Sequence, residues 1–294
     1  MPVRSWLFVP GDSEKKLGKA IATGADVLIL DLEDSVAHEN KAAARAMAGQ
    51  WLAAHRQQLT DGRRRGRWVR INALDSRQWR EDLAAVLPGA PDGIMLPKSA
   101  GPESVQQLSA EIYELEGRSG LAPNAVKIMP LVSETPAAAL TIASYAGASM
   151  PRLAGLTWGA EDLSAAIGAT RKRDAEGRWT DAFRLARTQT LLAAHASGVM
   201  AIDTLHADFA DAKGLKRAAE EARADGFAGM LAIHPAQVEV INQAFTPSEA
   251  ELAEARAIVD AFKSNPGAGT LQIDRRMIDM PHYKLALRVL GLEE

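Results

Sequence analysis

The chain contains no cysteine, which removes disulfides, thiolate metal sites and a cysteine nucleophile in one step. Aromatic residues are scarce at 5%, and nowhere do they interleave with basic clusters as a nucleic-acid surface requires. Charge of neither sign dominates: 34 Lys and Arg stand against 37 Asp and Glu, a net −3, interspersed along the chain. Nucleic acid is therefore not expected as a partner. No apolar run approaches the roughly 18 residues that cross a bilayer, so no membrane span is expected. The N-terminus opens on a strand-like segment without a signal-peptide pattern, which makes the cytoplasm the default expectation. A GxGxxG turn after a strand and a Walker loop are both missing, so nothing points to a nicotinamide, a flavin or a nucleotide triphosphate.

What the chain does have is a series of eight short apolar runs in its first 235 residues, all but the first ending in a charged or polar residue. They are WLFVP (6–10), DVLILDLED (26–34), RWVRIN (67–72), GIMLPK (93–98), KIMPLVSE (127–134), LTWGAED (156–162), VMAIDT (199–204) and MLAIH (230–234). Strand-length runs separated by helix-length amphipathic stretches read as βα units, and eight in succession predict an α/β fold, a (β/α)8 TIM barrel, over residues 1–245. A parallel barrel gathers the C-terminal ends of its strands on one rim. Asp31, Glu33, Asp34, Arg70, Asn72, Lys98, Glu134, Glu161, Asp162, Asp203 and His234 are expected to converge there.

Ala-rich amphipathic segments at 39–58, 103–117, 135–146, 181–197 and 212–224 supply the crossover helices. Helix starts are read at Asp12 or Ser13, at Ser76, and at Thr135 before Pro136, and Gly24, Gly117, Gly147 and Gly198 are read as helix ends. The arginine-rich stretch TDGRRRGR (60–67) reads as a solvated turn before the third strand. Beyond the barrel, residues 246–294 are expected to form a C-terminal helical extension. There SNPGAGTLQID (264–274) reads as a flexible linker to MIDMP and a last amphipathic helix, either a lid bearing Asp279 or a tail packed on the outside.

Glu134 and Asp162 are the strongest candidates for chemistry. They lie at the ends of consecutive strands, 28 residues or one βα repeat apart, and two neighbouring carboxylates in a cleft stay ionised together only around a cation. All-oxygen ligation suits Mg2+ better than Zn2+; solvated loop acids are the plainer alternative. Arg70, amid apolar strand residues, reads as an inward fork for a substrate carboxylate or a developing enolate oxygen, or as an ion-pair partner of Asp31 or Glu33. Strand alternation puts Asp31 and Glu33 on one face and Leu30 and Leu32 on the other. His234, before Pro235, is a minor candidate for a general base and reads more readily as structural.

These residues lie in segments that carry a resemblance spanning almost the whole chain. RSWLFVPGDSEKKLGKA, DVLILDLEDSVAHENKAAAR, VRINALDS, GIMLPKS, MPLVSETPAAAL, GLTWGAEDL, AIHPAQV and MIDMP resemble the citrate lyase β-chain-like family of CoA-ester lyases, within the larger group that includes 2-oxo acid aldolases. The resemblance implies a β/α barrel, Mg2+ as cofactor, and cleavage or formation of a carbon–carbon bond between an acyl-thioester enolate and a 2-oxo acid, on malyl-, citramalyl- or citryl-type CoA esters. It assigns Glu134 and Asp162 to the metal, with Glu134 also at the substrate, and Arg70 to the oxo-acid carboxylate or thioester oxygen. It assigns Asp279 to acid–base work in a neighbouring subunit's site, which implies a homo-oligomer such as a trimer. Lys16 and Lys19 stand where relatives contact the CoA phosphates. The chain departs from the family pattern at Met230, and at Arg275 and Arg276 before the final MID. A CoA-independent 2-oxo acid aldolase and a partner-dependent β subunit are the alternative readings.

Overall fold

The computed structural model describes residues 3–57, 59–60 and 63–292. Eight parallel strands form one sheet: β1 (Ser5–Pro10), β2 (Val27–Asp31), β3 (Gly66–Arg70), β4 (Gly93–Leu96), β5 (Lys127–Pro130), β6 (Gly155–Thr157), β7 (Met200–Asp203) and β8 (Gly229–Ala232). The spatial order is β5-β4-β3-β2-β1-β8-β7-β6, sequential except where β8 returns to β1. Parallel bridges Ile128↔Leu153 and Leu131↔Thr157 join β5 to β6 and bring the ring to near closure. The eight apolar runs of the sequence are these eight strands, and the TIM-barrel expectation holds.

Alternation along the strands sorts the side chains into two cores. Trp6, Val27, Ile29, Trp68, Met95, Met129, Ile202 and Leu231 pack together inside the ring. Their neighbours Leu7, Leu28, Leu30, Val69, Ile94, Ile128, Ala201 and Ala232 pack outward under the helices. Trp6 and Trp68 meet edge to face with centroids 5.1 Å apart. Gly93 makes room for them, because a β-carbon there would stand 2.5 Å from the Trp68 ring. With the interior filled this way the barrel is a packed core, and open space is confined to its ends.

The crossover helices include α1 (Glu14–Ala20), α2 (Lys41–Ala54), α3 (Trp79–Val86), α4 (Pro102–Arg118), α5 (Pro136–Thr141), α6 (Ala160–Ile167), α7 (Asp181–Ala196), α8 (Ala212–Asp225) and α9 (Pro235–Ala244). Ser13 caps α1 and Thr135 caps α5 through their side chains. Two boundaries differ from the sequence reading. Ser76 holds a turn instead of capping α3, its hydroxyl donating to Ala73 O at 2.7 Å and accepting from Gln78 N at 3.3 Å, so the helix starts at Trp79. Gly117 lies inside α4, and the left-handed residue after that helix is Gly120 (φ 66°). Of the arginine-rich stretch expected as a turn, Asp61 and Gly62 lie outside the described residues, as does Gln58. Leu59–Thr60 and Arg63–Arg64 on either side pair as a two-residue antiparallel ladder.

The chain divides into two compact units, Met1–Phe245 and Thr246–Glu294. The second has its own small core. Helix α10 (Glu249–Ser264), opened by a Ser248/Glu251 capping box, packs Ala255 and Val259 against Ala286 of α11 (Met280–Leu290). The segment expected as a flexible linker is ordered: Thr270–Ile273 pairs antiparallel with Arg276–Asp279. Its two-residue turn puts Asp274 (φ 48°) and Arg275 (φ 65°) both in the left-handed region, the geometry of a type I′ hairpin. An Asn-Gly or Asp-Gly pair would have announced that turn in the sequence; Asp-Arg did not.

Candidate active site

At the C-terminal ends of the strands a cavity of about 340 Å3 opens, and its walls are of two kinds. Phe8, Leu131, Leu205, Leu231 and Ile233 form an apolar side, while Asp31, Asp34, Arg70, Glu134 and Asp162 form a charged one. Strand register explains the charged side. Asp31 and Arg70 pair directly across β2 and β3, both on the inward alternation that carries Ile29 and Trp68 one layer below.

Arg70 points inward, as one reading of the sequence expected, and it is an ion-pair partner as well. Its Nε and Nη2 donate to the two oxygens of Asp31, each at 2.7 Å. Its Nη1 lies 3.0 Å from Glu33 Oε2, but that oxygen accepts no aligned hydrogen bond. The N–H groups of Nη1 therefore stay available, and the guanidinium stacks 4.7 Å from the Phe8 ring centroid. Asp31 also accepts from the amides of Glu33 (3.0 Å) and Ser35 (3.1 Å). Burial raises the Asp31 carboxyl, yet the Arg70 charge and these hydrogen bonds outweigh it and hold the group below the ordinary carboxylate value. Glu33 goes the other way: burial raises it, and Arg70 and Lys98 offset that only in part.

Glu134 follows β5 and is 3% exposed, with the backbone amide of Lys98 donating to its Oε2. Asp162 stands in the first turn of α6, one residue past Glu161. Gly159, the residue before that helix, lets the two segments close up; a β-carbon there would sit 3.0 Å from Glu134 Cγ. Burial, then the charge of Asp162, then that of Glu33, push the Glu134 carboxyl up to about 8. Among the residues that line the cavity, the acids Asp31, Asp34, Glu134, Glu161 and Asp162 stand against one cation, Arg70. The site is short of positive charge.

Not every rim residue joins it. Asp203 ends β7 on the outward alternation, where it accepts from Trp158 Nε1 (2.6 Å) and pairs with Arg187 of α7 (2.9 Å), so it braces the cavity wall from behind. His234 caps α9, accepting from Ala236 N at 3.2 Å, and stacks on Phe209; its place is structural. Asn72 is bound to Asp82, Leu32 O and Lys41 and does not reach the cavity. Glu161 lines the rim but is ion-paired with Lys172. Lys16 and Lys19 project from the exposed side of α1 and do not line the cavity. Asp279 lies in the second unit, at the N-cap of α11, with His282 Nδ1 2.5 Å from its Oδ1.

Sequence reasoning passed over Lys41, whose ammonium binds Leu32 O (2.7 Å), Glu33 O (2.6 Å) and Asn72 Oδ1 (2.9 Å) and so pins the loop that carries Glu33 and Asp34. It opens helix α2, ten residues past the end of β2 at Asp31, where no strand pattern points. Trp158, the cavity wall next to Gly159, was read only as part of a strand run.

Residues 4–235, nearly the whole first unit, match the HpcH/HpaI aldolase/citrate lyase family. The chain belongs to that family. This protein is a carbon–carbon lyase. A citrate lyase subunit beta-like protein of Mycobacterium tuberculosis is 37% identical over 289 residues, 97% of this chain and 95% of its own length. The mitochondrial citramalyl-CoA lyase of Rattus norvegicus is 34% identical over 304 residues, covering 99% and 86%. The crystal structure of M. tuberculosis CitE in complex with magnesium, acetoacetate and coenzyme A is 36% identical and superposes with a TM-score of 0.77, over 99% of this chain and 98% of that one. In this lyase the acid-rich, cation-poor pocket lies where a TIM barrel carries its chemistry.

Proposed function

We propose that the protein is a Mg2+-dependent lyase of 3-hydroxyacyl thioesters, releasing a 2-oxo acid and an acyl thioester, or joining them in reverse. One observation carries the reading: the buried Glu134 and half-buried Asp162 carboxylates line one cavity with the Arg70 fork. The Asp162 charge raises the proton affinity of Glu134 unless a cation separates them, and the surrounding charge is already deficient in cations. Among the described residues no group of three or more acidic, His or Cys side chains could hold a metal. Glu134 and Asp162 would thus be the protein's two ligands, an oxygen set that leaves positions for water and substrate and suits Mg2+. When bound, the ion supplies Lewis acidity and a fixed orientation for substrate oxygens.

The chain's own groups do the rest. Arg70, held flat by Asp31 and stacked on Phe8, offers its remaining N–H groups to a substrate carboxylate or to the thioester oxygen that gains negative charge as the bond breaks. Cleavage requires loss of the substrate's hydroxyl proton and return of a proton to the departing enolate carbon, and Asp279 is the proposed acid for the second transfer. The apolar wall of Leu205, Leu231 and Ile233 suits the uncharged end of the acyl group. At about 340 Å3 the cavity is at the small end of ligand sites, so the acyl portion would lie within it and the thioester carrier outside. The relatives named for citramalyl-CoA and for coenzyme A complexes support CoA as that carrier.

The test is release of a 2-oxo acid from malyl-, citramalyl- and citryl-CoA with Mg2+, followed as the phenylhydrazone. Turnover of at least one ester, abolished by chelation, is expected. Cleavage of the free hydroxy acids with no gain from the CoA ester would instead establish the CoA-independent aldolase.

A further inference from the structure

Lys98 has a backbone conformation that few lysines adopt. It follows β4 and Pro97 with φ 51°, in the left-handed region that disfavours a residue with a β-carbon. The ladder between β4 and β5 is intact on either side: Leu131 N donates to Leu96 O at 2.8 Å, and Ser99 N donates to Leu131 O at 3.2 Å. Pro97 and Lys98 are thus a kink held at both ends, and what the kink does is turn the Lys98 amide inward, onto Glu134 Oε2. The same residue's ammonium reaches the opposite wall, pairing with Glu33 Oε1 and lying 3.7 Å from Asp34 Oδ1.

The two Glu134 oxygens are thereby made unequal. Oε2 is capped by the Lys98 amide. Oε1 accepts no hydrogen bond among the described residues and faces Gly159, where a β-carbon would stand 3.4 Å away, beside the helix turn that bears Asp162. We infer that Lys98 is a positioning residue: its strained amide fixes Glu134 so that Oε1 alone is presented to a divalent cation, while its ammonium holds Glu33 beside Arg70. The inference rests on the metal reading above and adds to it a division of labour between the backbone and the side chain of one residue.

Glycine and valine at this position separate the two. Lys98→Gly adopts the left-handed region without strain and keeps the amide, whereas Lys98→Val disfavours that conformation. Isothermal titration with Mg2+, and with Mn2+ followed by electron paramagnetic resonance, reads affinity without turnover. With Lys98→Gly, affinity should stay within about threefold of the parent; with Lys98→Val, it should fall about tenfold or more, as for other residues that orient a metal ligand. Lys98→Arg, which keeps the charge and the strained backbone, should match the parent in affinity. Equal affinity in the parent and the valine variant, or a loss in Lys98→Gly as large as in Glu134→Gln, would overturn the positioning role while leaving the metal site in place. A parent protein that binds neither ion would overturn the metal reading and this inference together. Should Lys98→Val not fold, Lys98→Ala takes its place: its β-carbon also disfavours the left-handed region without a branched side chain, so its affinity should fall below that of Lys98→Gly, and equal affinity in the alanine and glycine variants would overturn the positioning role.

Discussion

Asp31 and Arg70 occupy directly opposed positions on adjacent parallel strands, and their side chains join through two hydrogen bonds of 2.7 Å each. The pair is nearly sealed from water, with 1% of the Asp31 side chain and 11% of the Arg70 side chain exposed. A fork held on one edge cannot rotate, so its other edge is aimed before any substrate arrives.

That geometry makes Arg70→Lys a severe change despite the conserved charge. An ammonium cannot bind both Asp31 oxygens in one plane and still donate into the cavity. Turnover should fall on the order of tenfold to a thousandfold. Steady-state kinetics on the best ester would check this, and a rate within twofold of the parent would make the residue a structural ion pair only.

Glu134 leads to a pH dependence. In the metal-free folded protein its carboxyl is pushed up to about 8, mainly by burial and by Asp162, so the folded state binds a proton that the unfolded state has already released above its ordinary value of 4.5. Stability of the metal-free protein should therefore fall as pH rises from about 5 to about 8, and Glu134→Gln should flatten that slope. Mg2+ competes with the same proton, so its affinity should rise up to about tenfold per pH unit until about 8 and then level off. Thermal melts and Mg2+ titrations across this range measure both. Replacing Glu134 or Asp162 by Ala should abolish divalent-dependent turnover with the fold intact, and undiminished Mg2+ affinity in both variants would refute the metal assignment.

Far from this site, Arg152 and Glu116 form a buried pair with both side chains 1% exposed and two contacts of 2.6 Å. Glu116 also accepts from Asn124 N (3.1 Å) and Val126 N (2.9 Å), tying down the chain that enters β5. Removing one partner leaves a buried charge, so Arg152→Met or Glu116→Gln should cost about 3–5 kcal/mol. For a chain of this size that is a drop of roughly 6–20 °C in Tm. Activity per folded molecule should be unchanged, since Arg152 lies before β6, at the end of the barrel opposite the rim.

The barrel was legible because each strand is a continuous apolar run flanked by helix-forming sequence, a pattern that buried parallel strands impose. Alternation also placed Asp31 with Glu33, opposite Leu30 with Leu32 of the outer core, as the structure has them. Strand-end position alone misplaced Asp203, which shares a strand end with the others but has the outward parity of Ala201. Periodicity could not reveal the Lys98 amide or the Lys41 ammonium, because those contacts depend on a kink and on a helix crossing over a neighbouring loop. The hairpin in the second unit stayed hidden because only the first of its two turn residues, Asp274, is of a type that favours left-handed backbone, Arg275 standing where Gly is usual, and its strands follow a run of Gly and Pro that reads as a linker.

Asp279 tests whether the lyase completes its site between subunits. Its carboxylate is 31% exposed beside His282, at the start of α11, in the unit Thr246–Glu294, whereas Glu134 belongs to Met1–Phe245. Asp279→Asn preserves a good helix N-cap while removing the acid, so loss of activity in that variant would report proton transfer and not an unravelled helix. If Asp279 serves a neighbouring copy, the protein is an oligomer whose contact runs head to tail, and a ring is the closed form. Mixing inactive Asp279→Asn with inactive Glu134→Ala should then restore activity, because one subunit supplies the carboxylate its neighbour lacks. With random exchange in equal amounts, a site draws Glu134 from the first protein and Asp279 from the second about one time in four, so recovery should approach about a quarter of parental activity. Exchange verified by native mass spectrometry with no recovery, or a fully active monomer, would rule out the shared site and leave Asp279 as a helix cap.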